Sequence, residues 1–106
     1  MQQMCATELN DYLKTVALAP ILLDVREEWE FQTCHIHDSL LIPMGDISNQ
    51  LNQLNKEQTI IVICHHGMRS LQVAHYLESN GFEHVVNLKG GIDAWAREVD
   101  NTMPIY

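Results

Sequence analysis

Ile60-Ile61-Val62-Ile63-Cys64-His65-His66-Gly67-Met68-Arg69-Ser70 reads as a strand, a tight loop that opens on a cysteine, and the start of a helix. Four consecutive β-branched apolar residues with no polar alternation suit a strand covered on both faces, as strands of parallel sheets are. Beyond Met68, apolar residues at Leu71, Ala74 and Leu77, with Val73 four residues before Leu77, follow a helical spacing that ends at Asn80-Gly81. Cys64 therefore stands between a strand end and a helix start. There the free N–H groups of the loop and of the first helical turn converge, and the helix dipole adds partial positive charge. A thiolate is stabilised in such a field. Cys64 is the candidate nucleophile, and His65, His66, Gly67, Met68, Arg69 and Ser70 form the loop around it.

Strands and helices alternate on both sides of this stretch. Thr7 can cap a helix whose inward face is Leu9, Tyr12, Leu13 and Val16, and Ala19-Pro20 breaks it. Ile21 to Val25 is a short buried strand that runs into charge at Asp24, Arg26, Glu27 and Glu28, with a short helix near Trp29 and Phe31. Leu40-Leu41-Ile42 is another apolar strand, closed by Pro43 and the Gly45-Asp46 turn. Ile47, Leu51 and Leu54 then recur at spacings of four and three among Asn and Gln, which predicts an amphipathic helix. His84 to Leu88 is a last strand, Gly90-Gly91 a turn, and Ile92 to Val99 a last helix carrying Trp95. The alternation implies a three-layer α/β/α domain, residues 1–106, with a central parallel sheet, right-handed crossovers and a site at the carboxyl ends of the strands. Cys64, Asp24 and Arg26 all lie at that edge.

Composition narrows the chemistry. With 46% hydrophobic and 19% charged residues the chain is an ordinary globular protein, not a disordered one. Six Lys and Arg against fourteen Asp and Glu give a net charge of −8, which excludes a basic nucleic-acid surface. The apolar run from Val16 to Leu23 is eight residues long and contains Pro20, too short to span a bilayer. Three cysteines, Cys5, Cys34 and Cys64, are an odd number with neither disulfide-framework nor Cys-x-x-Cys spacing, and with no signal-peptide pattern they suggest a reducing, cytoplasmic setting. Cys34, His35, His37, Cys64, His65 and His66 are metal-ligand types, but their spacing fits no standard site and no metal is expected.

Four stretches, in order and over nearly the full length, resemble the single-domain rhodanese-like sulfurtransferases: Leu23-Asp24-Val25-Arg26-Glu27, His35-Ile36 leading to Ile42-Pro43, Cys64-x-x-Gly67-x-Arg69-Ser70, and Gly81-Phe82 through Gly90-Gly91-Ile92 to Ala94-Trp95. The resemblance implies transfer of a sulfane sulfur from thiosulfate or a persulfide donor, through a persulfide carried covalently on Cys64, to cyanide or a thiol. It implies no other cofactor, and a sulfur-relay protein is a further partner it suggests. Cys34-His35-Ile36-His37-Asp38-Ser39 departs from the family's usual small residues. His65 stands where Arg is common, which removes a fixed positive charge and weakens capture of thiosulfate dianion.

On this reading the loop amides from His65 to Ser70 hold the persulfide anion. Gly67 allows the tight curve, and Arg69 ties the loop to an acidic or carbonyl partner or binds an anionic donor. Asp24 anchors the loop from behind rather than donating a proton, with Arg26 beside it. Simpler roles are expected elsewhere: His35 fixes a turn, His66 is solvated, Arg26 and Glu27 form an exposed ion pair, Trp29 and Trp95 are core, and Tyr106 packs at the terminus. The rival readings are a cysteine phosphatase or arsenate reductase, a non-catalytic binding or regulatory module, and a sulfur carrier for a protein partner. The four residues between Cys64 and Arg69 argue against the first, whose loops are one residue longer.

Overall fold

Five strands, all parallel, line up in the order β1-β5-β4-β2-β3 in a computed structural model that describes residues 1–106. They are β1 (Gln2–Met4), β2 (Ile21–Asp24), β3 (Leu40–Leu41), β4 (Ile60–Ile63) and β5 (Val85–Leu88). The helices are α1 (Ala6–Thr15), α2 (Glu28–Thr33), α3 (Met68–Ser79) and α4 (Gly91–Glu98).

β4 is central, pairing with β2 on one side and β5 on the other, and none of its residues is exposed. Its side chains alternate between two cores. Ile60 and Val62 join Val73, Ala74 and Leu77 of α3, while Ile61 and Ile63 join Leu9 of α1 and Ile92 and Trp95 of α4. Each fully buried side chain of this kind contributes about 1.5–3 kcal/mol relative to exposure, so the strand at the centre of the sheet is also its strongest anchor. The expected α/β/α layering is thus the observed one.

The connectivity places the site. From β1 the chain moves outward through β2 to β3 at the far edge, then returns through β4 to β5. β2 and β4 are neighbours, yet the connections that follow them pack in different cores, with Cys34 and Ile36 on one face and α3 on the other. A crevice opens at the carboxyl ends of such a strand pair. Asp24 ends β2 and Cys64 follows β4 at that point.

Several local expectations are corrected. Thr7 is not the cap of α1: Cys5 is, with its N–H donated to the Glu8 carboxylate at 2.9 Å, and Thr7 sits inside the first turn. The predicted helix through Ile47, Leu51 and Leu54 is two 3₁₀ segments, Met44–Asn49 and Leu51–Gln53, broken at Gln50. Gly45, Asp46, Ser48 and Asn49 are poor helix formers, and burying Ile47 and Leu54 requires no continuous helix. β1 was not expected, because Gln2-Gln3-Met4 has no apolar run; its backbone pairing to β5 creates it. Trp29 is not core but 63% exposed, whereas Trp95 is buried. In the Cys34–Ser39 connection Asp38 takes φ 65°, a left-handed conformation that Gly adopts more easily.

Candidate active site

The loop after β4 wraps its own cysteine. Cys64 is 1% exposed. Its Sγ accepts the Gly67 N–H at 3.0 Å and donates to Ser70 Oγ at 3.3 Å. Ser70 Oγ in turn donates to Asn87 Oδ1, and Asn87 Nδ2 donates to the Gly67 carbonyl at 3.3 Å and to Gln3 Oε1 at 3.2 Å. The sulfur is thereby linked through a buried polar chain to the centre of β5 and the edge of β1. Gly67 has φ 99°, and a β-carbon there would come within 3.1 Å of the Gly90 N, so the loop curve needs glycine. The other wall is α4, whose first turn donates Ile92 N–H to the Cys64 carbonyl at 2.8 Å and Asp93 N–H to the His65 carbonyl at 3.0 Å.

Two arginine–carboxylate pairs frame the loop. Arg69 forms a two-point pair with Glu30 of α2, Nη1 to Oε1 at 2.7 Å and Nη2 to Oε2 at 2.9 Å, across the crevice. Arg26 is not the exposed partner of Glu27. It is wholly buried, donates to both Asp24 oxygens, and also reaches the carbonyls of Glu30 and Cys34. Burial alone would loosen the Arg26 proton, but the hydrogen bonds to Asp24 and Tyr106 outweigh it and hold the proton more tightly than usual. Asp24 also accepts the Arg26 N–H at 3.1 Å, which folds the chain back just after β2. Asp24 and Arg26 thus brace the segments behind the loop and do not touch Cys64 in this hydrogen-bond network.

The remaining predicted residues divide. His66 and Met68 are exposed, Met68 at 70%. His65 stacks between His66 and Tyr106, with ring centroids 3.9 Å away on each side, and its buried Nε2 has no partner. Burial, then the charge of His66, lowers the His65 pKa, so that it is neutral at pH 7. His35 fixes its turn as expected, Nδ1 lying 2.8 Å from the Phe31 carbonyl. Cys34 packs in the core on the opposite face of the sheet from Cys64, which separates the two thiols.

His65, His66 and Asp93 bring possible ligand atoms within 4.8 Å of one another. The two imidazole planes are only 27° apart at a 3.9 Å separation, so they intersect too far out for one ion to lie about 2 Å from both nitrogens. The Asp93 carboxylate is already taken by Arg97 Nε at 3.0 Å.

Two residues that shape the site, Asn87 and Glu30, were not singled out from the sequence, and a third, Tyr106, was given too small a role. Asn87 had a signal: a polar residue inside Val85-Val86-Asn87-Leu88, a strand buried throughout, requires a buried partner. Glu30 had none, because its partner Arg69 lies 39 positions away. Tyr106 is more than a packing residue. Its hydroxyl accepts from Arg26 Nη1 and donates to Glu30 Oε2, both at 2.8 Å, and burial pushes its pKa up to about 12.

Glu30 also makes a pH prediction. The Arg69 hydrogen bonds, opposed by burial and aided by the Glu27 N–H and Tyr106, bring its pKa down from 4.5 to about 2. A carboxylate depressed on folding contributes stability that is complete above the unfolded pKa and fades as pH falls toward the folded one. Urea unfolding should therefore show stability falling from about pH 4.5 toward pH 2, with a shallower fall in Glu30→Gln. Equal slopes in the two proteins would remove Glu30 from the acid sensitivity.

A parallel α/β sheet with a cysteine loop at the switch point, its sulfur held by a loop amide and a serine, defines a thiol-centred domain. The chain belongs to the rhodanese-like domain family, whose model matches residues 6–98. A Bacillus subtilis (strain 168) protein provisionally named sulfurtransferase YtwF is 42% identical over 77 residues, 73% of this chain and 74% of that protein. Another from the same organism, provisionally named sulfur carrier YrkF, is 35% identical over 79 residues, 74% of this chain but 43% of its own length. The chain thus spans less than half of that relative. The crystal structure of a rhodanese-like domain protein from Staphylococcus aureus superposes with a TM-score of 0.85 at 35% identity, covering 93% of this chain and 95% of that one. No helix is long and apolar enough to cross a membrane.

Proposed function

We propose that the chain is a sulfurtransferase in which Cys64 carries the transferred sulfur as a persulfide. The observation that carries this is the Gly67 N–H aimed at Cys64 Sγ at 3.0 Å inside a loop closed by Ser70 and α4. In the first step the Cys64 thiolate attacks the outer sulfur of the donor. The donor's S–S bond breaks, an Sγ–S bond forms, and the donor remnant, sulfite or a thiolate, leaves with the electron pair. In the second, a cyanide or thiol acceptor attacks that outer sulfur and the Cys64 thiolate departs. The Gly67 N–H, already aimed at the sulfur, favours the anion at each stage without reorganising.

The cations favour a persulfide donor over thiosulfate dianion. Arg26, Arg69 and Arg97 are each paired with a carboxylate, and His65 is neutral at pH 7. Lys56 sits against Phe82 and Lys14 in the last turn of α1. The arginines nearest the loop, Arg26 and Arg69, thus have their charge already matched and offer little to the doubly charged donor. The same pairing of Arg69 argues against an oxyanion-ester substrate, since its guanidinium is already filled by Glu30. A small persulfide or a sulfur-relay protein is the better-matched donor, and the three free thiols suit a reducing, cytoplasmic setting.

Intact-protein mass spectrometry tests this. Incubation with a small alkyl persulfide should add one sulfur to the wild type and none at this site to Cys64→Ser, and cyanide should remove it as thiocyanate. Thiosulfate should load more slowly than the persulfide. Sulfur transfer by Cys64→Ser at the wild-type rate would overturn the proposal.

A further inference from the structure

Residues 104–106 make no backbone-to-backbone hydrogen bond with the rest of the fold, and Pro104 and Ile105 are exposed. Tyr106 is nevertheless half-buried, and its side chain makes the main contacts that hold this segment. The ring stacks on His65 at 3.9 Å with the planes 4° apart, and the edge of Trp29 meets it at 5.8 Å. The hydroxyl sits between Arg26 Nη1 and Glu30 Oε2, 2.8 Å from each. Glu30 is the residue that grips Arg69.

His65 begins the loop immediately after Cys64, and Arg69 ends it on the first turn of α3. One side chain therefore reaches both ends of the loop, the first by stacking and the second through the Glu30 carboxylate. We propose that Tyr106 is a positioning residue for sulfur transfer: it latches the Cys64 loop at both ends in its closed form. This deepens the sulfur-transfer reading and rests on it for its effect on turnover. Cys64 is 1% exposed in the latched form, and none of the surface hollows includes it, so its access depends on how firmly the loop is held. Tyr106 also sets the state of His65. The groups facing His65 are His66 from the loop, Glu30 from α2, Asp93 from α4 and Tyr106 itself, with Arg26 5.8 Å from the far ring's centroid. The Tyr106 backbone, then the Glu30 and Asp93 carboxylates, favour a charged imidazole, yet burial and the charge of His66 prevail and keep it neutral. Removing the ring removes part of that burial.

The test compares wild type, Tyr106→Phe, Tyr106→Ala and Tyr106→Ala/His65→Gln in two assays: iodoacetamide alkylation of Cys64 from pH 5 to 9, and sulfur loading from a small alkyl persulfide. In Tyr106→Ala, alkylation should speed up by about tenfold, the size a single lost hydrogen bond carries. Loading should slow by about tenfold to a hundredfold, more in kcat than in KM, because the sulfur cradle is misplaced rather than the donor unbound. The Tyr106→Ala alkylation profile should gain a step near pH 6.5, the ordinary histidine value, as His65 becomes able to protonate beside the thiol. That step should vanish in the double variant. Tyr106→Phe keeps the stack and loses the hydroxyl bridge, so it should load at an intermediate rate with no new step. Wild-type alkylation, loading and pH profile in Tyr106→Ala would overturn the latch. If the wild type loads no sulfur while alkylation responds as described, the latch stands and the sulfur-transfer reading fails.

Discussion

Gly91→Ala should abolish sulfur loading and lower the stability of the chain by about 2–5 kcal/mol, far out of proportion to one methyl group. Gly91 has φ 61°, and a β-carbon built on it would collide with the Cys64 carbonyl and lie 2.5 Å from the His65 carbonyl. Those atoms are backbone, so no side chain can swing aside. Left-handed geometry costs an L-residue about 1–2 kcal/mol, and overpacking a fixed wall adds about 1–3 kcal/mol. The only relief is to push α4 away from the loop. That breaks the bonds by which Ile92 and Asp93 hold the Cys64 and His65 carbonyls, and the sulfur moves with them. Gly45→Ala is the control, since no atom lies within 4 Å of its β-carbon position and its φ is not positive. The urea midpoint should shift for Gly91→Ala with the slope unchanged, and hardly at all for Gly45→Ala. Normal sulfur loading by Gly91→Ala would show that α4 does not hold the loop in its working shape.

The loop and its helix wall were legible because their signals are local. Ile60 to Ile63, four β-branched residues in a row, suit a strand covered on both faces, Cys64 follows at once, and Gly67 and Gly90-Gly91 mark the sharp turns. What surrounds the loop was not legible because it depends on partners far along the chain. Arg69 meets Glu30 across 39 positions, Arg26 meets Tyr106 across 80, and Asn87 meets Gln3 across 84. Arg26 illustrates the difficulty. Beside Glu27 and Glu28 it reads as one of several solvated charges, and only the fold, which brings the Glu30 and Cys34 carbonyls and Tyr106 around it, buries it completely. Trp29 errs the other way: an aromatic residue on a six-residue helix reads as core, but the inward side of α2 is given to Glu30. β1 escaped notice because its role is backbone pairing with β5, which leaves no mark on side-chain pattern.

The burial of Arg26 leads to the second large effect. Asp24→Asn should cost about 3–5 kcal/mol, because it keeps the shape of the side chain and leaves a guanidinium buried without its counter-charge. For a domain of 106 residues, typical stabilities of about 5–15 kcal/mol make this a large share of the whole. The comparison that decides the cause is Arg97→Gln. Arg97 pairs with Asp93 at 3.0 Å, a similar distance, but its side chain is 58% exposed, and such pairs contribute about 0–1 kcal/mol. Salt gives an independent check. Screening acts on exposed charges over about 3 Å at 1 M and barely reaches a pair with 0% exposure on both sides. The gap in urea midpoint between wild type and Asp24→Asn should therefore persist at high salt, while any gap for Arg97→Gln should close. The loss should also reach the site. Asp24 orients the guanidinium that donates to Tyr106 and to the Cys34 carbonyl, so Asp24→Asn should loosen the Tyr106 segment and speed Cys64 alkylation even in conditions where the chain remains folded. Equal costs for Asp24→Asn and Arg97→Gln would mean that water reaches Arg26, and that the Asp24 pair acts as a surface bridge rather than as the buried brace behind the loop.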